Sequence, residues 1–347
     1  MTFDVLRASD KAEWDSVIEA LPVHRRDIHF TSAYGRVQEY LGCEALLAVW
    51  RDNGSFIAQP FIKRAIPSNP ARFDLCNPYG YGGPISSDMA AGAAMFYERL
   101  CEWCVGNRIV TEFCNLHPLF LLHQKSLLPV APKLITKDII IIDLNNFSED
   151  TVSRRVPRGI RKAKSAGGKV VLLDSATTKA TFAALYKMSM DRLQAADRWR
   201  FPTEYLEAHY EELSAKIFQA TDNNNGERML MVIGGYSTAY AHFLGSNGQS
   251  LHKGLDELLY SEAARMLREH GYERFHLGGG TTREPDDKLL AFKAGFSPDR
   301  WKLASYTRVF DEPEYAELNA RKLADEITET GHASSSDYFP AYRRDAA

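Results

Sequence analysis

The sequence of 347 residues has few cysteines, no long apolar run and no excess of positive charge. Its five cysteines are too few and odd in number for a disulfide framework, which favours reduced thiols and a cytoplasmic protein. The formal net charge of -3 excludes a global basic field, so any contact with RNA must come from a local patch. The N-terminus lacks the apolar core of a secretory signal, and runs such as 139–142 are far too short to span a bilayer.

Several catalytic signatures are missing as well. The sequence shows no nucleophile elbow, no Walker loop and no cluster with metal-ligand spacing. Cys101 and Cys104 share a helix face without a second pair, which favours core packing over a metal or redox role. We therefore expect no metal and no tightly bound cofactor.

The order of predicted elements repeats once along the chain. Each half reads strand, helix, helix, hairpin, helix, strand, helix, strand, and the chain is too long for one core. An Asn-Gly at 53–54 predicts a tight hairpin in the first half. The pattern predicts an α/β (α+β) protein with tandem domains over 1–147 and 148–311, each a mixed twisted sheet flanked by helices. A helical and then flexible tail is expected over 312–347.

A run of three glycines follows a predicted strand in the second half. The segment FHLGGG (275–280) precedes LAFKAGF (290–296), in which Lys293 stands beside Phe292. Glycines at a strand end let the backbone approach a ligand and present its N–H groups. A plain flexible turn is the alternative interpretation.

With RGIRKAKSAG (158–167) and PYGYGGP (78–84), these segments resemble the Fem family of peptidoglycan bridge-forming enzymes, in the family's order. The resemblance implies two domains of the GNAT acyltransferase fold and transfer of an aminoacyl group from aminoacyl-tRNA to an amine. It places Phe292 and Lys293 at the active site. It also implies an acceptor cleft between the domains, reached by the loop that contains Tyr79, Tyr81 and Gly83.

Amide formation needs a neutral amine and a stabilised tetrahedral oxyanion, for which Lys293 or the glycine N–H groups are candidates. Asp88 is the candidate general base, although the start of a helix there favours an N-cap. His242 and His276 lie on predicted strands near the site, where wall residues are more common than catalytic ones. The candidate catalytic residues are Asp88, Phe292 and Lys293. The candidate substrate-binding residues are Lys63, Tyr79, Tyr81, Gly83, Arg158, Arg161, Arg192, His276, Gly278, Gly279 and Gly280.

A basic run without any acidic residue extends between Thr151 and Leu173. At helical spacing Arg158 and Arg161 share a face, which suits a pyrophosphate or an RNA backbone. A solvated surface helix is the alternative. Arg192 and Lys63 are weaker candidates for the same phosphate clamp.

The segment 251–257 stands where CoA-dependent GNAT enzymes bind a pyrophosphate at a helix start. It keeps one glycine, Gly254, and adds Asp256 and Glu257, whose charges disfavour CoA. Three functions stay open on the sequence alone. They are an aminoacyl-tRNA-dependent transferase acting on a cell-wall or glycan amine, an acyl-CoA-dependent transferase acting on an amino sugar or other small amine, and a non-catalytic binding protein. The acceptor is expected to be small or nucleotide-linked, and the oligomeric state is left open.

Overall fold

A computed structural model describes residues 1–88, 92–129, 133–173, 175–251, 254–282, 284, 286–332 and 338–344. Its strands are β1 (Thr2–Arg7), β2 (Glu44–Asp52), β3 (Ser55–Ile66), β4 (Asn69–Cys76), β5 (Ile85–Ser86), β6 (Ile109–Asn115), β7 (Lys133–Asp143), β8 (Lys169–Leu173), β9 (Lys216–Thr221), β10 (Glu227–Gly235), β11 (Thr238–Ser246), β12 (Arg274–Gly278) and β13 (Trp301–Val309). Its helices are α1 (Lys11–Glu19), α2 (Ser32–Glu39), α3 (Ala93–Gly106), α4 (Leu121–Leu127), α5 (Arg155–Ser165), α6 (Ser175–Arg192), α7 (Thr203–Leu213), α8 (Leu255–Glu269), α9 (Lys288–Lys293) and α10 (Glu312–Thr330). Within the described ranges, no helix has the length and apolarity needed to cross a membrane.

The chain folds into two compact units. The first unit contains residues 1–135 and 303–347, and the second contains residues 136–302. These limits differ from the predicted boundaries after 147 and 311. The difference arises because β7 pairs with β12 in the second unit, whereas β13 pairs with β6 in the first. Hydrophobic patterning locates a strand but does not say which sheet it joins.

The sheet of the first unit has the order β1-β2-β3-β4-β6-β13, with β5 beside β3. The β4–β6 pair is parallel and the other pairs are antiparallel. The predicted hairpin is confirmed between β2 and β3, where Asn53 and Gly54 have φ angles of 46° and 85°. Both residues take the left-handed conformation that a two-residue hairpin loop requires.

Both faces of this first sheet are covered. Phe96 and Leu100 of α3 pack with Trp50 on one face, and Trp14 and Ile18 of α1 pack on the other. The sheet can therefore carry buried apolar residues on successive positions of β2.

The end of the chain docks on the first unit. Leu318 of α10 packs with Ile66 and Val110, and Tyr342 joins this cluster. Arg343 forms an ion pair with the buried carboxylate of Asp74. Residues 338–344 thus differ from the expected flexible tail, because they carry the partners of a buried charge.

The sheet of the second unit has the order β7-β12-β11-β10-β9-β8. Here β11–β12 is the parallel pair, and the other pairs are antiparallel. Helix α8 packs its apolar side, including Leu259 and Ala263, on Phe275 and Leu230 of one face. On the opposite face, Tyr186 of α6 and Tyr205 of α7 pack against Phe243.

Two predicted helices have different ends in the structure. The sequence pattern predicts a helix over 88–107, and in the structure this helix begins at Ala93, after Gly92 with a φ of 92°. The pattern also predicts a helix over 202–218, but this helix ends at Leu213, because Ser214 takes a left-handed conformation and Phe218 lies in β9. The short apolar run around Phe218 fits a helix or a strand equally well by periodicity, and tertiary burial decides for the strand.

Candidate functional site

The parallel strands β11 and β12 separate soon after they meet. Their register joins Thr238 to Arg274 and Tyr240 to His276, and no pairing between them continues in the described residues beyond that point. At the same place β11 has a β-bulge opposite Met231 and Val232 of β10, with His242 as the extra residue. Separated parallel strands turn backbone polar groups toward the gap, and bulges are frequent beside active sites.

The equivalent pair of the first unit stays closed. The β4–β6 register runs to Cys76, and a parallel bridge between Gly82 and Leu116 prolongs it. The side chain of Asn77 accepts a hydrogen bond from the Asn115 N–H at 2.8 Å, and Gly82 donates its N–H to the Asn115 oxygen at 2.9 Å. The gap therefore exists in the second unit, and a loop fills the corresponding place in the first.

Lys293 and the glycine run lie together at the end of β12. The Lys293 ammonium donates a hydrogen bond to the Gly279 carbonyl oxygen at 2.8 Å. Gly278 has a φ of 78°, and a β-carbon there would stand 3.4 Å from the Lys293 Nζ. The sequence placed these residues near one another, and the structure brings them into contact.

Asp287 joins the glycine loop to α9, a role that the sequence reasoning missed. Its carboxylate accepts hydrogen bonds from the N–H groups of Thr281 and Thr282 at 2.7 and 2.6 Å, and from the Leu290 N–H at 2.7 Å. Burial alone would raise the pKa of Asp287, but these backbone and hydroxyl donors hold it well below its usual range. A β-carbon on Gly280 would lie 2.5 Å from this carboxylate, which explains why the third residue of the run is a glycine. An Asp at the start of a predicted helix is an N-cap signal, and this signal could have revealed the role of Asp287 from the sequence.

Phe292 belongs to an aromatic cluster that fixes α9. Its ring lies 5.4 Å from that of Tyr260 and 5.3 Å from that of Phe296, edge to face in both cases. The Arg155 guanidinium stands 5.5 Å from the Phe292 ring centroid and donates to the Phe292 carbonyl oxygen at 3.0 Å. Phe292 is thus a packing residue that positions Lys293 next to it.

His276 is buried and braces the glycine run. Its Nδ1 accepts the Gly278 N–H at 3.1 Å, and its ring lies 4.9 Å from that of Tyr240. The hydrogen bond places the proton of the neutral ring on Nε2. His276 therefore helps to shape the loop in which Gly278 sits.

Helix α5 carries the basic run on its solvent side. Arg154, Arg158 and Arg161 are exposed, and no ion pair is formed by any of them within the described part of the chain. They are spaced four and three residues apart, so they form one row along the helix. The buried side of α5 packs on α8 through Val156 and Ala163.

The start of α8 is closed by α5. A β-carbon on Gly254, whose φ is 83°, would stand 2.0 Å from the Gly159 carbonyl oxygen. Asp256 is paired with the buried Arg228 at 3.2 Å, so its charge is partly compensated. His252 and Lys253 lie outside the described residues. The contact with Gly159 adds a steric reason, beside the acidic residues, against a pyrophosphate at this helix start.

Comparison with known proteins shows likeness in fold. No protein-family model matches the chain, and no curated protein matches its sequence. The solved structure of FemX is 13% identical, with a TM-score of 0.67, over 91% of this chain and 99% of that one. The C-terminal domain of a putative lysylphosphatidylglycerol synthetase from Agrobacterium fabrum is 14% identical, with a TM-score of 0.56, over 92% and 97% of the two chains. A tandem GNAT protein from the clavulanic acid biosynthesis pathway is 12% identical, with a TM-score of 0.50, over 88% and 98%.

The chain has the tandem GNAT fold of FemX. This confirms the predicted fold class and, at the level of fold, the resemblance read from the four motifs. The separated strands β11 and β12 are the part of this GNAT fold that stays open in the second unit.

The GNAT fold of the first unit holds the loop 78–84 firmly. Tyr34 donates its hydroxyl to the Tyr79 carbonyl oxygen at 2.5 Å, and Tyr79 donates its N–H to Gln38 at 3.1 Å. The Tyr81 ring lies 5.6 Å from that of His29, and a β-carbon on Gly83 would meet Gln124 at 2.7 Å. Burial raises the pKa of both tyrosines, Tyr79 and Tyr81, above their usual value.

Beneath this loop lies a buried cluster of Asp27, His29 and His117. No sequence pattern indicated it, because His117 is far along the chain from the other two. Asp27 Oδ1 lies 2.7 Å from His29 Nδ1 and 3.6 Å from His117 Nε2. Burial would raise the pKa of Asp27, but His117 and His29 hold it well below its usual range. His117 Nδ1 accepts the Leu119 N–H at 3.3 Å, so the neutral ring carries its proton on Nε2, facing Asp27. A metal would need a lone pair there, so the geometry favours a hydrogen-bonded network.

Asp88 does not cap a helix, because α3 begins after Gly92. Its exposed carboxylate accepts a hydrogen bond from the Ser55 hydroxyl at 2.5 Å. The predicted N-cap role was therefore wrong, since residues follow Asp88 before the helix starts. Its proposed role as a base stays a prediction.

Two candidates for a phosphate clamp are engaged elsewhere. Lys63 forms an ion pair with Glu44 at 3.3 Å and lies 4.3 Å from the centroid of the Phe73 ring. Arg192, at the end of α6, lies over Gly248, where a β-carbon would stand 2.8 Å from the arginine Cδ. Within the described residues, no ion pair or hydrogen bond joins Arg192 to α5.

Proposed function

We propose that this protein is an N-acyltransferase whose acyl-transfer site lies in the second unit. The observation that carries the proposal is the separation of β11 and β12 next to Lys293 and the glycine run. The donor is an aminoacyl-tRNA, and the acceptor is an amine of a cell-wall or glycan precursor. The resemblance of four motifs to the Fem family and the fold of FemX support this choice.

The site residues fit the chemistry of amide formation from an ester. A neutral amine attacks the ester carbon, and negative charge develops on the carbonyl oxygen. The Lys293 ammonium and N–H groups of the glycine run can stabilise that oxyanion. When the intermediate collapses, the carbon–oxygen bond to the ribose breaks, and the amine proton finally goes to the ribose oxygen.

The donor assignment rests on α5 and α8. Three exposed arginines without acidic partners in the described residues form a row suited to a phosphate backbone. The start of α8 is occupied by Gly159, which disfavours a CoA pyrophosphate. An acyl-CoA donor with an amino sugar or other small amine is the second candidate, supported by the fold of the tandem GNAT protein.

A binding and transfer assay tests the donor. Radiolabelled bulk aminoacyl-tRNA and radiolabelled acetyl-CoA are each offered with UDP-linked muropeptides or amino sugars, and labelled amide product is counted. We expect product and saturable binding with aminoacyl-tRNA only. Product with acetyl-CoA alone would move the function to the second candidate, and no product with either donor would overturn the proposal.

Variants of the arginine row test the assignment of the tRNA surface. Arg158→Ala with Arg161→Ala should lower tRNA affinity and reduce the slope of log affinity against log salt by about 1 per arginine. Arg265→Ala removes an exposed arginine that is paired with Glu262 and Glu269, and it is the matched control. Equal salt slopes for the double variant and the control would contradict a tRNA contact at α5.

A further inference from the structure

Two histidines meet at the point where β11 leaves β12. His209 of α7 is fully buried, and its Nε2 lies 3.0 Å from the Nε2 of His242 in the β11 bulge. His242 is partly exposed. The sequence analysis expected a wall position for His242 and did not single out His209, because α7 and β11 are brought together by the fold alone.

The contacts of His209 fix the protons of both rings. His209 Nδ1 lies 2.8 Å from the Tyr205 carbonyl oxygen, which can only accept, so Nδ1 carries a proton. The neutral ring then offers a lone pair at Nε2, and His242 must donate its own Nε2–H. Burial lowers the pKa of His209 to about 4, so this ring stays a neutral acceptor near neutral pH.

This arrangement gives His242 the form of an oriented base. With its proton held on Nε2, the neutral ring has its lone pair on Nδ1. When Nδ1 takes a proton, the resulting imidazolium still donates to His209, which stabilises the charged form. A triad histidine is oriented by its hydrogen-bonded partner in the same sense.

His242 also lies on the same side of the sheet as His276. Ala239 and Ala241 of β11 pack in the core under α8, as do Phe275 and Leu277 of β12. Tyr240 and His276 therefore face the opposite side, where their rings are 4.9 Å apart. His242 lies on that side as well, because it contacts His209 of α7. The base would thus stand on the same face as the histidine that braces the glycine run.

We propose that His242 is the general base of the acyl transfer and that His209 is its positioning residue. As the acceptor nitrogen bonds to the acyl carbon, its proton passes to His242 Nδ1. When the ester bond breaks, His242 returns that proton to the ribose oxygen. This inference rests on the proposed transferase function. It assigns to His242 the role of general base, for which the sequence analysis had named Asp88.

The protonation pattern is tested first, without any substrate. Long-range proton–nitrogen spectra of ¹⁵N-histidine-labelled protein at pH 8 should show His242 as the Nε2–H tautomer and His209 as Nδ1–H. His242→Gln and His209→Gln assign the signals, and His270→Gln is the control, since that exposed ring donates from Nδ1 to the Met266 carbonyl oxygen. An Nδ1–H tautomer at His242 would overturn the proposal.

Transfer kinetics test the role of the base with the donor that the wild type uses. His242→Ala should lower kcat by about 10²–10⁴-fold at unchanged donor affinity, and added imidazole should restore part of the loss. His209→Gln should lower kcat less, and His270→Ala should leave it unchanged. The more conservative His242→Gln, checked for an unchanged melting temperature, replaces the alanine variant if that does not fold.

The outcomes separate this inference from the function beneath it. An active wild type with an equally active His242 variant overturns the base and leaves the transferase standing. A loss of activity that imidazole does not restore likewise overturns the base. A wild type that transfers no acyl group from either donor overturns the transferase and, with it, the base.

Discussion

Lys293 is positioned by two residues that precede it in the chain, Asp287 and Phe292. Asp287 holds the start of its helix to the glycine loop, and Phe292 anchors the helix in an aromatic cluster. The ammonium then meets the Gly279 carbonyl oxygen. A side chain held in this way loses little freedom when a transition state forms beside it.

We predict that Lys293→Ala lowers kcat/KM by about 10²–10³-fold, which is typical of removing one oxyanion stabiliser. Lys288→Ala is the matched control, because Lys288 is an exposed lysine on the same short helix. Transfer rates with the productive donor, measured beside melting temperatures, check the prediction. Equal rates for the two variants would remove Lys293 from the site.

A second prediction at this scale concerns the pH dependence of stability. His209 has a folded pKa of about 4, below the unfolded value of about 6.5. The unfolded state therefore binds a proton first as the pH falls, so His209 costs stability from pH 6.5 downward, by about 3 kcal/mol near pH 4. Urea unfolding of wild type and His209→Gln from pH 4 to 8 should show a shallower decline for the variant. Parallel curves would contradict a neutral buried His209.

Sequence reasoning at the scale of residues succeeded where the signal was local. Lys293 ends the short helix α9, which follows the glycine run closely, so their order in the chain already placed them together. Asp27 and His117 meet only through the fold, as do His209 and His242. No spacing rule connects such distant residues, so their contacts could not be predicted.

At the scale of elements, the contact between α5 and α8 depends on two glycines. Gly254 is the N-cap of α8 and has a left-handed conformation, and a β-carbon added to it would overlap the Gly159 backbone. The sequence suggested that Gly254 was the remnant of a phosphate loop. The structure gives Gly254 a packing role, because a side chain at this position would overlap the backbone of α5.

We predict that Gly254→Ala lowers the free energy of unfolding by about 3 kcal/mol, since a methyl group would overlap the Gly159 carbonyl oxygen. Gly271→Ala is the control: Gly271 has a φ of 84°, but a β-carbon added there would meet no atom within 4 Å. That variant should lose about 1 kcal/mol through backbone strain alone. Urea denaturation of both variants measures the difference. Equal losses in the free energy of unfolding would mean that α5 and α8 can move apart at little cost and would contradict the prediction.

At the scale of the whole molecule, both ends of the chain belong to the first unit. Asp74 is buried between Arg64, at 2.9 Å, and Arg343 near the C-terminus. Arg344 pairs with Glu326 of α10 at 2.6 Å. The order of elements along the sequence could be predicted. It could not be predicted that β7 pairs in the second unit and β13 in the first, because the hydrophobic pattern of a strand does not say which strand it pairs with.

We predict that deleting residues 338–347 lowers the free energy of unfolding by about 3 kcal/mol, because the buried carboxylates of Asp74 and Glu326 lose arginine partners. Deleting only 345–347 removes no described ion pair and is the control. Arg343→Met tests the Asp74 contact within the full chain. Urea unfolding of the three variants checks this, and a 338–347 deletion as stable as wild type would show that the docked segment adds nothing.

The discontinuous first unit has a consequence for synthesis on the ribosome. The second unit is a continuous stretch, so it can fold once residue 302 has left the exit tunnel. The first unit must wait for β13 and for Arg343, which are made last, although its other strands are made first. The nascent chain thus carries an unfinished sheet through most of translation, and the half made first is the half completed last.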